Sequence, residues 1–212
     1  MNARSAVARR LAATVCIITL GATLVACGDD SDSGNGNPSD TRTAANGDVF
    51  NQADVEFATS MIPHHAQAIQ MVTFTDGRTL DPAVRQLANQ VRDAQVPEVE
   101  AMADWLTAWG EEVPETSIDH ANAGHDMSDM PSMDGDVPGM MSAEDMDALH
   151  NASDQEFEDM WLEMMVEHHE GAIEMAETEQ SEGTYPDALS LAESIETSQQ
   201  AEIDQIEQLL GR

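Results

Sequence analysis

The sequence has very little cysteine and no lysine. Its two cysteines, Cys16 and Cys27, both lie near the N-terminus. Zinc fingers and most iron–sulfur clusters require thiolate ligands, so neither can be built from the rest of the chain. A disulfide is excluded there for the same reason. Any metal ion beyond Cys27 must be bound by histidine, methionine, carboxylate or backbone groups.

Basic residues are also scarce. The chain has 41 acidic residues against 8 basic ones, all of them arginine, and a formal net charge of −33 at pH 7. Such a negative field repels nucleic acid, which is therefore not an expected partner. The functional interpretation of this negative charge is that it attracts cations. For most of the carboxylates the alternative is a solvated surface that maintains solubility.

Residues 1–26 are predicted to be a lipoprotein signal peptide. Three arginines lie among the first ten residues, and the apolar segment Leu11–Val25 that follows is short for a membrane span. Residues 24–27 read Leu-Val-Ala-Cys, which resembles a bacterial lipobox and predicts cleavage before Cys27 and lipid attachment to it. An ordinary secretory signal with a chance cysteine is the alternative. The protein is expected to lie outside the cytoplasm, anchored to the bacterial cell membrane.

The rest of the chain divides into a tether and one helical domain. Residues 27–47 are rich in Asp, Ser, Gly and Asn and predict a flexible tether. Residues 48–110 and 142–212 each have the pattern of a helical hairpin, and residues 111–141 an irregular Met-rich connection. The predicted long helices run from about Asn51 to Phe74, Asp81 to Trp109, Ser153 to Glu179 and Pro186 to Leu210.

A motif that occurs twice is the most informative feature of the chain. Met61-Ile-Pro-His64-His65 recurs as Met165-Val-Glu-His168-His169, at an offset of 104 residues. Two such hairpins, each with one apolar face, predict an all-α four-helix bundle with a pseudo-twofold axis. The same offset relates these identical residues: Met61/Met165, His64/His168, His65/His169, Ala68/Ala172, Ile69/Ile173, Met71/Met175, Leu87/Leu191, Ala88/Ala192, Gln95/Gln199, Glu98/Glu202 and Leu106/Leu210.

The chemistry of the repeated side chains indicates a soft metal. Met61, His64 and His65 project from one half of their helix, and their spacing lets methionine and histidine share one ion. Thioether sulfur prefers Cu(I), and by extension Ag(I), whereas imidazole suits copper, zinc and nickel. Copper, above all Cu(I), is therefore the predicted ion. The alternative is that the histidines are core residues with satisfied hydrogen bonds and the methionines fill space.

An enzyme is the weakest interpretation. The Glu-x-x-His pattern of carboxylate di-iron bundles is absent from both motifs, which disfavours a ferroxidase or oxygenase. No nucleophile, base and orienting group can be recognised together, so no catalytic residue is predicted. A metal-dependent oxidase or a hydrolase that uses a bound water stays a weaker alternative.

The connection adds a second, weaker group of candidate ligands. Its residues are polar and interrupted by glycine and proline, so methionines there have no core to fill. They predict a flexible tract for soft metals, and an acidic spacer with incidental methionines is the alternative. The candidates are His120, His125, Met127, Met130 and Met133.

These motifs together resemble the domain of unknown function family 305. Asp54 and Phe57 precede the first His pair, and Pro138-Gly-Met-Met-Ser142 precedes the second. The resemblance spans about residues 48–210 and implies a ferritin-like four-helix bundle. Some members are described as extracytoplasmic copper- or silver-binding proteins. It implies these candidate ligands: Met61, His64, His65, Met71, Met165, His168, His169 and Met175.

This chain departs from the family pattern at three positions. Glu158 replaces the usual Asp, Trp161 the usual Phe, and Glu167 a Pro or small residue. The leading prediction is a lipid-anchored protein that sequesters or delivers copper. The competing prediction is a non-catalytic structural or interaction module of the envelope with buried His pairs. The sequence names no protein partner.

Overall fold

Five helices and one short hairpin form the fold in a computed structural model that describes residues 40–116 and 137–211. The long helices are α1 (Gln52–Thr73), α2 (Pro82–Trp109), α4 (Asp154–Glu182) and α5 (Pro186–Leu209), and a short helix, α3 (Ala143–Asn151), precedes α4. Helix α1 packs on α2, α4 packs on α5, and the two pairs meet at α1 and α4. The prediction of an all-α four-helix bundle made from two hairpins is confirmed.

The structure also contains a short β-hairpin that the helical pattern does not predict. Strands β1 (Arg42–Thr43) and β2 (Val49–Phe50) pair antiparallel, and β1 lies in the segment predicted as tether. Their turn contains Gly47, whose φ of 97° favours glycine. Helix α3 belongs to the second half of the chain and has no counterpart in the first half. The two halves of the bundle are therefore not equivalent on their outer faces.

Capping residues fix where the helices begin. The side-chain oxygen of Asn51 accepts the N–H of Asp54 at 3.1 Å, while the N–H of Asn51 donates to the Asp54 carboxylate at 2.6 Å. Asp81 accepts the N–H of Ala83 at 2.7 Å ahead of Pro82, as the sequence predicts. At its other end α2 stops at Gly110, which has a φ of 79°.

Two carboxylates at equivalent positions join the hairpins to each other. Asp54 at the start of α1 accepts the N–H groups of Thr184 at 2.9 Å and Tyr185 at 2.8 Å, where α5 begins. Glu158 in α4 accepts the N–H of Asp81, where α2 begins. Each hairpin thus satisfies free N–H groups, and the positive dipole end, of a helix in the other hairpin.

Two apolar clusters occupy the two ends of the bundle. The Phe57 cluster includes Phe50, Phe57, Met61, Ile62, Met102, Leu106, Trp109, Ala172, Ala176 and Ile195. The Trp161 cluster includes Met71, Val72, Leu87, Val91, Met146, Leu149, Phe157, Trp161, Met165 and Ile206. Between them lies a layer of buried polar residues, so the repeated His pairs lie at mid-height in the bundle.

Several predicted features lie outside the described residues. They are the signal peptide, Cys27 with most of the tether, and the connection residues His120, His125, Met127, Met130 and Met133. In the part of the chain that is described, no helix is long and apolar enough to cross a lipid bilayer.

Candidate metal site

The four histidines of the repeated motif come together where α1 crosses α4. His64, His65, His168 and His169 are all fully buried. The methionines flank this layer: Met61 and the partly buried Met175 belong to the Phe57 cluster, whereas Met71 and Met165 belong to the Trp161 cluster. The eight predicted ligands thus separate into a central imidazole layer and thioethers on both sides of it.

One histidine of each pair stacks on its counterpart. The rings of His64 and His168 lie 3.7 Å apart between centroids, at 35° to each other. Neither ring nitrogen of His64 or His168 makes a hydrogen bond of good geometry among the described residues, although the backbone of Pro138 lies near the His64 ring and the backbone of His64 near the His168 ring. Burial, and then the neighbouring histidines, hold the pKa of both rings well below the ordinary value. These imidazoles are therefore neutral at physiological pH, the form that binds metal ions.

The other histidine of each pair binds a glutamate. Nε2 of His65 lies 2.7 Å from the Glu98 carboxylate, and Nε2 of His169 lies 2.6 Å from the Glu202 carboxylate. When a carboxylate accepts a hydrogen bond from Nε2 of a neutral imidazole, the lone pair of the ring is on Nδ1. Nδ1 of both rings is buried and has no hydrogen-bond partner in the described residues. A carboxylate behind a histidine is the arrangement that orients metal-binding imidazoles.

Two buried glutamines complete the polar layer. Gln95 and Gln199 are 1% and 2% exposed, and in residues 40–116 and 137–211 neither side-chain amide oxygen has a hydrogen-bond partner. These glutamines, like Glu98 and Glu202, are not among the functional residues predicted from the sequence. The sequence contains a signal that could have identified all four residues, because they are among the positions that are identical in the two repeats.

A short loop lies against the layer and breaks its symmetry. Gln67 in α1 and Gly171 in α4 are equivalent positions, and residues 137–141 pass between them. The Gln67 amide pairs with the backbone of Met141 through bonds of 2.9 and 2.8 Å. A Cβ on Gly171 would collide with the backbone of Pro138. Close backbone approach therefore requires glycine here.

The donor set fits a soft ion better than a hard one. Within the described ranges, no three His, Cys, Asp or Glu side chains form a group that could hold a metal ion, and the four histidines of the layer are no exception. A hard ion that depends on such a trio thus finds no preformed site there. A soft ion can combine imidazole nitrogen with thioether sulfur, and both donors are present around this layer.

Comparison with known proteins agrees with the fold. A DUF305 candidate secreted protein from Streptomyces coelicolor is 30% identical with a TM-score of 0.63, over 75% of this chain and 92% of that one. A DUF305 fragment from Deinococcus radiodurans is 27% identical with a TM-score of 0.63, over 81% and 99%. CopM in its Cu(I)-bound form is 27% identical with a TM-score of 0.57, over 74% and 94%.

Further structures of CopM hold Cu(II) and silver. Among curated proteins, nothing matches this chain significantly. The model of the family named domain of unknown function, DUF305, matches residues 54–210, which include both helical hairpins and both His pairs. The protein is a member of the DUF305 family.

Proposed function

We propose that this protein binds copper, with silver as a soft substitute, outside the cytoplasm, and that it sequesters or delivers the ion. The observation that carries the proposal is the buried layer between α1 and α4. Six imidazole nitrogens of its four histidines are buried without a hydrogen-bond partner among the described residues. Methionine sulfur is available on both sides of the layer.

Energetics argue against a purely structural role for this layer. A buried polar atom left without a partner costs about 1–3 kcal/mol. A core that retains several such atoms at equivalent positions of both repeats is stabilised by neither hydrogen bonding nor full apolar packing. A bound ion would use the one lone pair that each neutral imidazole offers, which supports ion binding as the function of this layer.

The proposed ligands have distinct roles. His64 and His168 offer unprotonated nitrogens at the centre, and Glu98 and Glu202 orient His65 and His169 so that Nδ1 is the available donor. Thioether ligands come from Met61, Met71, Met165 and Met175. The soft character of this set favours Cu(I). CopM, with structures holding Cu(I), Cu(II) and silver, supports the same class of ion.

The Met-rich connection is proposed as a weaker capture site. His120, His125, Met127, Met130 and Met133 lie in the segment that leads into the loop at residues 137–141. An ion held by this tract would be close in sequence to the loop that lies against the histidine layer. The connection is therefore proposed to bind ions weakly, in addition to the stronger site in the histidine layer.

A metal titration tests the proposal. We expect the purified protein to bind Cu(I) and Ag(I) in competition with a chelator, and Zn(II) more weakly. Replacing His64, His65, His168 and His169 with alanine should remove the bundle-bound ions and leave those of the connection. The matched control replaces His120, His125, Met127, Met130 and Met133 with alanine and should retain the bundle-bound ions. Unchanged stoichiometry in the histidine variant would contradict the bundle site, and binding of none of these ions would favour the structural module.

We also propose that a lipid on Cys27 anchors the protein to the outer face of the cell membrane. The basic start, the short apolar segment and the lipobox-like residues 24–27 support this location, as does the candidate secreted relative. In cells, Cys27→Ala should shift the protein from the membrane fraction to the soluble fraction. Conservative replacement of Cys16 by serine should leave it in the membrane. Membrane association of the Cys27 variant would refute the lipid anchor.

A further inference from the structure

The histidine layer is closed to solvent. All four of its histidines are fully buried. Along the bundle, the Phe57 cluster lies on one side of the layer and the Trp161 cluster on the other. An ion in solution therefore cannot reach these imidazoles unless some part of the protein moves.

The part of the cover that can move most easily is the loop at residues 137–141. The backbone of Pro138 in this loop lies near the His64 ring. The other elements that enclose the layer in the described structure are four helices of 22 to 29 residues, whose backbone groups bond to each other within each helix. A movement of the loop leaves all of these helical bonds and helix contacts intact, so it requires less free energy than a separation of the helices.

The loop meets α4 through two glycines. A Cβ on Gly139 would lie 2.9 Å from the Gly171 Cα, and a Cβ on Gly171 would lie 2.6 Å from the Gly139 Cα. Because glycine has no side chain, nothing interlocks the two backbones at this contact. Separation of the loop from α4 here exposes little apolar surface and therefore costs little hydrophobic free energy.

Gln67 holds the loop on its other side, against α1. The side-chain amide of Gln67 donates to the Met141 carbonyl at 2.9 Å and accepts the Met141 N–H at 2.8 Å. The Met141 side chain is buried in the Trp161 cluster, which fixes this end of the loop. By holding the backbone of Met141, Gln67 sets the direction in which residues 137–140 extend from it.

The two residues that contact the loop differ between the repeats. Gln67 and Gly171 are equivalent positions at the offset of 104 residues, and one contributes hydrogen bonds whereas the other contributes space. The equivalent residues around them are identical: His64/His168, His65/His169 and Ala68/Ala172. Identical residues thus form the layer, and a differing pair holds the loop that covers it.

We propose that residues 137–141 are a gate through which the metal ion enters the histidine layer, and that Gln67 keeps this gate closed. In the open form, residues 137–140 move away from Gly171 and uncover His64, while the Met141 side chain stays in the Trp161 cluster. The loop is also the end of the Met-rich connection, so the gate adjoins the proposed weaker ligands in sequence. This inference rests on the proposed binding of copper.

Chemical labelling of histidine tests the gate without any metal. Diethyl pyrocarbonate acylates the unprotonated nitrogen of accessible imidazoles, and tandem mass spectrometry of the purified, metal-free protein gives the labelling rate of each histidine. Gln67→Ala should raise the labelling rate of His64 about tenfold, the factor expected for the loss of two neutral hydrogen bonds. His150 is exposed and provides the internal reference, whose rate should not change.

Two further variants separate opening of the gate from other effects. Gln67→Ala removes atoms and could expose His64 through a hole at its own position, whereas Gly171→Ala adds a methyl group that displaces the loop and should also raise the labelling rate. The control Asn51→Ala removes hydrogen bonds to Glu182 and Thr184, about 20 Å along α1 from His64. It weakens the bundle without touching the loop and should leave the labelling rate of His64 unchanged.

The rate of ion uptake connects the gate to the proposed function. The protein is mixed with Ag(I) in a stopped-flow instrument, and tryptophan fluorescence follows uptake because Trp161 lies in one cluster with Met165. To report on the bundle alone, all variants carry alanine in place of the candidate ligands of the connection. Gln67→Ala should take up Ag(I) about tenfold faster than the otherwise identical protein and bind the same number of ions at equilibrium.

Three results would overturn the proposal. One is an unchanged labelling rate of His64 in both loop variants, which would show that the loop does not control access. Another is an increase in Asn51→Ala as large as in Gln67→Ala, which would indicate general loosening of the bundle. The third is faster labelling with an unchanged rate of Ag(I) uptake, which would mean that the ion enters elsewhere, for example past Glu98 or Glu202. A protein that binds no ion would contradict the proposed function, and the labelling rates would show independently whether the loop opens.

Discussion

Replacing Gly171 with alanine is expected to destabilise the protein by about 2 kcal/mol, within the range of overpacked sites. Elsewhere in a helix interior, exchanging glycine for alanine stabilises by about 0.5–1 kcal/mol. Gly171 differs because its added Cβ would collide with the backbone of Pro138 and lie 2.6 Å from the Gly139 Cα. A backbone cannot rotate away as a side chain can, so the loop at residues 137–141 must leave α4. Urea denaturation measures the free energy of unfolding, and limited proteolysis measures release of the loop.

A double-mutant cycle with Gln67 provides the control. Gln67→Ala removes the two hydrogen bonds to Met141 and should release the loop from α1 without any steric conflict. Because both variants detach the same loop, their combined cost should be smaller than the sum of the separate costs. Stabilisation by Gly171→Ala, with unchanged proteolysis, would show that the loop does not lie against α4 in solution.

Much of the fold follows from local signals in the sequence. Asp81 with Pro82 marks the start of α2 and Gly110 marks its end, because caps depend on neighbouring residues only. The constant offset between the repeats then predicts that two similar hairpins pack together, and this prediction is confirmed. Helix α4 ends at Glu182, beyond the predicted Glu179, since the Ser and Glu residues there do not stop a helix.

The arrangement of the candidate site depends on contacts that are distant in sequence. A helical projection places Met61 and Met71 on one face but does not show their separation along the helix axis. Because the helix rises about 1.5 Å per residue, the two methionines lie at different heights and belong to different clusters. Similarly, His64 and His65 are adjacent in the chain, and contacts from other helices distinguish them: His64 stacks on His168 in α4, and His65 binds Glu98 in α2. The contact between Gly171 and the loop at residues 137–141 is likewise made by residues that are distant in sequence. Sequence patterns identify which residues share a helix face but not which group meets each side chain.

Replacing both His64 and His168 with leucine is expected to stabilise the metal-free protein and to abolish copper binding by the bundle. Four ring nitrogens of these two histidines are buried without a hydrogen-bond partner among the described residues. Since each unpaired buried group costs about 1–3 kcal/mol, the double variant should gain about 2 kcal/mol or more in free energy of unfolding. Leucine also joins the apolar clusters on both sides of the layer. Urea denaturation in the presence of a chelator measures the gain.

His65→Leu is the matched contrast within the same layer. It removes a histidine that is equally buried but hydrogen-bonded, and it leaves Glu98, only 14% exposed, without that partner. The expected result is a loss of about 1–3 kcal/mol, and His169→Leu should behave alike because Glu202 is in the equivalent position. A gain in free energy of unfolding for the His64/His168 variant, together with a loss for the His65 and His169 variants, would show that the unpaired rings are retained at the expense of stability. A functional site explains such retention. If the His64/His168 double variant instead lost stability and kept its copper stoichiometry, His64 and His168 would be core residues and the ions would have to bind elsewhere.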